Sequence, residues 1–270
     1  MATLWIYVAG DGDPAALTVY EVEGTVKLTT AEGAQVPAAV DTRLNKGDRL
    51  STGLQSRVVL KLGEQTRLRL GPTSSVQVTS IDEDVVKLEL EDGMLSATVR
   101  PGSGAVRIGN NGREVVAEDA EFEVGVYGDA FQARATDGSL TVVGTDVTKV
   151  GAGEQVTAVG RRALVGPVPE ELLLEVKWPQ SVAARAEEIY QLVGSSDPGA
   201  RIKVMGQGIA PIETQANEKG EFVAPIPLVE GKRPADIVIE AFDALGRSIQ
   251  VSGRLPSRDS TVEFHGDVRP

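Results

Sequence analysis

The sequence predicts an all-β protein made of two consecutive β domains, and three observations carry that expectation. From Leu17 onward apolar residues recur with a period of two, the spacing of a strand covered on one side. Turn signals interrupt these runs at short intervals: GEQ at 63, EDG at 91, NNG at 110, TDG at 136 and GAG at 151. Aromatic residues make up only 4% of the chain while Val, Ala, Gly and Thr are plentiful, a mixture that suits strands and tight turns better than helical bundles. At 270 residues there is length for two ordinary domains, each with its own core.

The N-terminal segment, residues 1–16, contains the most apolar short run, LWIYVAG at 4–10. It lacks a basic flank and is too short to span a bilayer, so the segment shown inserts in no membrane: either the protein is cytosolic or a leader or membrane anchor has been removed. Residues 17–165 read as the first β domain. In VVKLEL, Val86, Leu88 and Leu90 face inward and Lys87 and Glu89 outward; in TRLRL, Leu68 and Leu70 face inward and Arg67 and Arg69 outward. Two stretches echo each other, LELEDGMLSATV at 88–99 and QARATDGSLTVVG at 132–144. Each sets Asp-Gly between alternating runs, which predicts two β-hairpins. GPVPEELLLEVKWPQSV is rich in proline and marks a linker over 166–180. ARAEEI at 184–189 has helical propensity but little room. A second β domain is expected over 181–260, with the strand runs RIKVM, EFVAPIPL, DIVIEAF and SIQVSG, and a tail over 261–270.

Charge and composition exclude several functions. With 27 basic against 39 acidic residues the net charge is −12, and the surplus is spread evenly, 16 against 23 up to residue 165 and 11 against 16 beyond. No basic face is available for nucleic acid or anionic lipid. The absence of cysteine removes disulfides, thiolate metal sites and cysteine nucleophiles.

KGDRLSTGLQSRVVLKL, at 46–62, is the most distinctive stretch. Gly47 and Gly53 suit turns with positive φ; Asp48, Thr52 and Ser56 can bind nearby backbone groups; Leu50, Val58, Leu60 and Leu62 fall on apolar strand positions. This reads as a locked corner with no chemistry of its own. The same residues, followed by LRLGPTSSVQV, LELEDGMLSATV, EFEVGVYGDAFQARATDGSLTVVG and VTKVGAGEQVTA, resemble the FecR domain of bacterial cell envelopes over roughly residues 17–160. VGVYGDAF departs from the Gly-Thr-x-Phe arrangement of many relatives. The resemblance implies a non-enzymatic, extracytoplasmic β-sandwich or β-roll. In the namesake group it also implies a relay from an outer-membrane transporter to a membrane-bound sigma-factor control system. IYQLVGSSDPGARIKVMGQ and ANEKGEFVAPIPLVEGKRPADIVIEAFDALGRS resemble a bacterial immunoglobulin-like sandwich, which implies architecture more than activity.

Possible reactive sites read as structural. His265 is the lone histidine and has no second ligand or nucleophile elbow. DEDVVKLELED at 82–92 gathers six carboxylates, with Glu89 and Glu91 expected on a solvated edge. Asp11 and Asp13 lack the rest of a calcium loop, and Trp5, Tyr7 and Tyr20 are expected to anchor an N-terminal strand. No catalytic, cofactor-binding or metal residue is therefore assigned and no cofactor is expected. The expected role is a periplasmic or envelope scaffold that presents loops and strand edges to other envelope proteins. The alternatives are a module that binds peptidoglycan or another glycan and the ectodomain of a FecR-type transmembrane regulator.

Overall fold

Alternation in the sequence becomes alternation of burial, strand by strand. The structure is a computed structural model that describes residues 16–82, 84–102, 104–146, 149–178, 189–206, 208–227 and 235–255. Among these residues there is no helix, and an all-β fold results. Contacts divide the chain into two compact units. One takes the chain to Val126 with Phe131–Val156 and Ala163–Val168; the other takes Tyr127–Ala130, Thr157–Arg162 and the chain from Pro169 on.

The first unit begins with β1 (Leu17–Glu23), β2 (Val26–Thr29), β3 (Gln35–Pro37), β4 (Arg49–Thr52), β5 (Arg57–Leu62), β6 (Thr66–Leu70), β7 (Ser75–Ile81) and β8 (Val85–Val99). It continues through β9 (Ala105–Asn110), β10 (Arg113–Ala117), β11 (Ala120–Tyr127), β12 (Ala130–Val143), β13 (Lys149–Gly151), β14 (Glu154–Val159) and β15 (Arg162–Pro167). One layer carries β1, β5, β6, the second half of β8 and β11; the other runs β3-β2-β4-β7, the first half of β8, then β9 and β10. Val58, Leu60, Leu62, Leu68, Leu70, Val86, Leu88 and Leu90 are all buried, as their period predicts. Each such side chain contributes about 1.5–3 kcal/mol by leaving water.

The two Asp-Gly stretches are structural equivalents, but neither is a hairpin. Residues 85–99 form one continuous strand. Its first half pairs with β7, and in parallel with β9; its second half pairs with β6 and β11. The strand changes sheet at Gly93, whose φ is +89°. A Cβ there would lie 2.1 Å from Ser74 Oγ and 2.6 Å from Ser74 Cα. β12 repeats the device: Gly138 has φ +72°, a Cβ on it would lie 2.3 Å from the Asp119 carbonyl, and the strand beyond pairs with β10 and β13. Asp-Gly supplies positive φ to a hairpin turn or to a bend inside a strand; which one forms depends on partners elsewhere in the chain.

The second unit holds β16 (Leu174–Val176), β17 (Ile189–Ser196), β18 (Arg201–Gly206), β19 (Ile209–Gln215), β20 (Glu221–Pro227), β21 (Ala235–Phe242) and β22 (Ser248–Leu255). They form a three-stranded sheet, β16-β17-β20, and a four-stranded sheet, β19-β18-β21-β22. Leu192, Phe222, Ala224 and Ile226 from the first meet Ile202, Val204, Ile237 and Ile239 from the second in one core. Gly194 and Gly253 make room for large rings, Phe222 and Trp178 respectively, at positions where a Cβ would collide. The 228–234 stretch, residues 179–188 with most of ARAEEI, and the tail from 256 lie outside the described residues.

Replacing Gly93 or Gly138 by Ala is expected to lower unfolding stability by roughly 2–4 kcal/mol each, because strain and collision with backbone act together. Gly166→Ala, where a Cβ meets open space, should stay within about 0.5 kcal/mol. Urea denaturation of the three variants makes the comparison.

Candidate functional site

The polar residues of KGDRLSTGLQS are spent on the fold. Asp48 is 4% exposed, and its carboxylate accepts from the backbone N–H of Ala31 at 3.0 Å and of Asn45 at 2.8 Å. Thr52 Oγ1 donates to the Gly71 carbonyl at 2.6 Å and accepts from the Ser74 N–H at 2.9 Å. Ser56 Oγ accepts from the Thr25 N–H at 2.9 Å. Ser74 extends the series, with its Oγ accepting from Met94 N–H at 3.0 Å beside Gly93. Each side chain satisfies a backbone group at a corner where no strand partner can, which is why small oxygen-bearing residues recur there.

The acidic stretch is also structural, though it is not an edge. β8 is paired on both sides. Glu91 forms an ion pair with Arg49 and accepts from Ser75 Oγ at 2.9 Å, while Glu89 accepts from the Asn111 N–H at 3.0 Å. The carboxylates expected on a solvated rim are thus held half-buried by partners on β4, β7 and the β9–β10 turn. His265, Asp11, Asp13, Trp5 and Tyr7 lie outside the described residues. Tyr20 does not anchor the core: it is 53% exposed, at the point where the β1–β5 register slips between Val19 and Glu21. That irregularity turns the ring outward, where the Arg67 guanidinium lies 5.0 Å from its centroid. Among the described residues, no group of three His, Asp or Glu side chains could hold a metal ion. Nor is any helix long and apolar enough to cross a membrane.

An open polar trough of about 330 Å³ lies on the outer face of the first layer. Strand register builds it in rows. Arg67 lies opposite Thr98, and Thr98 opposite Glu121; Arg69 lies opposite Ser96, and Ser96 opposite Glu123. Two arginines on β6 therefore face two glutamates on β11 across the short hydroxyls of β8. Arg100 donates to Glu121 at 2.6 Å, and Arg134 pairs with Glu123. Lys61, beside Arg67 on β5, is tied to Glu64 at 2.9 Å, and that hydrogen bond and charge hold the Glu64 carboxyl below the usual range.

Strand edges are the other exposed feature. In the second unit Ser196 N–H bonds the Gly220 carbonyl and Ala216 N–H bonds the Ala200 carbonyl. Counting by alternation from these bonds, Pro225 and Pro227 of β20 and Pro211 of β19 point their missing N–H away from their partner strands. These edges are blunted against strand addition. β22 differs: the Asp243–Arg247 backbone bond sets a register in which Ser248, Gln250, Ser252 and Arg254 direct their backbone groups away from β21. Residues Tyr127–Ala130 group with this unit. Gln215 Nε2 donates to the Tyr127 carbonyl at 2.9 Å, and Arg201 lies between the Tyr127 and Phe242 rings at 5.0 and 4.9 Å.

Corners stitched by buried polar groups define an all-β module with polar side chains on one outer face. Residues 48–160 match the family described as FecR protein. The match begins at Asp48, the buried carboxylate that clamps two turns. No curated protein matches the chain. Two crystal structures described as a candidate anti-sigma factor from Parabacteroides distasonis are similar, each with 16% identity and a TM-score of 0.40. One alignment covers 44% of this chain and 59% of the other, the second 48% and 68%. In the first, therefore, this chain spans less than two thirds of that structure.

Asp48→Ala leaves two backbone donors without an acceptor and is expected to cost about 3 kcal/mol, with Asp48→Asn costing less because one oxygen remains. For the β22 register, Ser252→Pro should change stability by less than about 1 kcal/mol, whereas Val251→Pro removes a ladder bond and should cost about 3 kcal/mol or more. Denaturant midpoints of the four variants report both effects.

Proposed function

We propose that this protein is the extracytoplasmic, non-catalytic part of a FecR-type regulator, recognising protein partners in the bacterial envelope. The observation that carries this reading is the FecR match over residues 48–160, taken with motif residues that hold corners and leave no reactive set. It favours a regulatory ectodomain over a general scaffold. The second unit, with its three- and four-stranded sheets around one core, serves in this reading as an immunoglobulin-like module that extends the recognition surface. Partner binding relies on side chains of the outer faces and on the β22 edge, since the prolines of β19 and β20 close the opposite edges to strand addition.

Crosslinking of the full-length protein in its own cells, followed by mass spectrometry, tests the reading. A small reproducible set of envelope proteins, including a membrane-bound regulator of transcription, is the expected outcome. Links to cell-wall fragments alone, or turnover of a substrate by the purified chain, would overturn it.

A further inference from the structure

We propose that the polar trough on β6, β8 and β11 binds a carboxylate-bearing glycan, a ligand site separate from protein-partner recognition. The backbone beneath the trough offers nothing to a ligand, because β8 is hydrogen-bonded to β6 on one side and β11 on the other. A peptide adding as a strand therefore finds no donors or acceptors here, and recognition rests on side chains alone.

Arginines line one side and glutamates the other, with Glu21 behind the arginines held by Arg57 at 3.1 Å. Among the described residues the Arg69 guanidinium has no ion pair or hydrogen-bond partner, and it is exposed on the trough's rim. Arg67 beside it spends its charge on the Tyr20 ring and the Thr66 carbonyl. The two lie on one face of β6, two residues apart, and form a cationic bank on a protein whose net charge is −12. Across two strand spacings, about 10 Å, Glu121 and Glu123 form the opposite bank, each fixed by an arginine of its own. Between them Ser96 and Thr98 present hydroxyls with no hydrogen bond to any described residue.

A fitting ligand places a carboxylate on the arginine bank, where a guanidinium offers paired donors. Its hydroxyls reach the serine and threonine in the middle and donate to the glutamates beyond. Acidic sugars carry both groups on a rigid ring, and Tyr20, stacked under Arg67, lines the trough beside them. An acidic peptide satisfies the arginines but brings few hydroxyl donors for the glutamates. The volume, about 330 Å³, lies at the small end of ligand sites, which suits a saccharide unit or two.

NMR titration of the ¹⁵N-labelled chain at low ionic strength with a galacturonic-acid trimer tests the proposal, with a glucose trimer and triglutamate as comparisons. The expected result is amide shifts confined to 67–69, 96–98 and 121–123 with the acidic sugar. Binding should be weakened roughly ten-fold or more by Arg69→Gln and unchanged by Lys27→Gln, an exposed cation on β2 of the other layer. Any of four results would overturn it: no response at these strands, equal binding of the glucose trimer, triglutamate binding as tightly, or an unaffected Arg69→Gln variant. Arg69 is exposed, so its loss should leave the spectrum's dispersion intact, and the partner-recognition reading stands or falls separately.

Discussion

The passage of β8 from one sheet to the other at Gly93 is the constraint on which the first unit depends. A strand that bends this sharply exposes backbone donors at the bend, and Ser74 answers by accepting from Met94 while packing where a Cβ of residue 93 would sit. Ser74 is in turn positioned by Thr52, which binds both its N–H and the Gly71 carbonyl. One corner thus requires the next, with Thr52, Ser74 and Gly93 as links in a single series.

This explains how a motif can mark a family without carrying chemistry. Buried backbone groups at corners must be satisfied, and a small side chain with one or two oxygens does so with little volume. Asp48 does it with a carboxylate that accepts two backbone N–H groups. A substitution at such a position leaves a buried backbone group unsatisfied, whereas outward positions on the same strands carry no such requirement. The arginines of β6, the hydroxyls of β8 and the glutamates of β11 are such outward positions, and the ligand site proposed above is built from them.

The strand edges of the second unit show the complementary logic. A sheet edge invites association with any extended chain. Prolines at 211, 225 and 227 stand where their missing N–H would have faced outward, so they cost no internal bond and deny a donor to an incoming strand. β22 has no proline among its residues, Ser248–Leu255.

Strand positions, inward and outward faces and the FecR resemblance were legible from local alternation and turn chemistry, because a period of two reports burial directly. Leu68 and Leu70 inward with Arg67 and Arg69 outward is one instance; the corner role of Asp48, Thr52 and Ser56 is another. The equivalence of the two Asp-Gly stretches was visible too, but their conformation was not. A positive-φ glycine serves a hairpin or a bent strand equally well, and only pairing with β6, β7, β9 and β11 decides for the bent strand. The same holds for Glu91, whose Arg49 partner lies 42 residues away, and for Tyr20, turned outward by a register slip. Local sequence determines which face a residue takes; long-range pairing determines which residues meet there, and the trough exists only through that second decision.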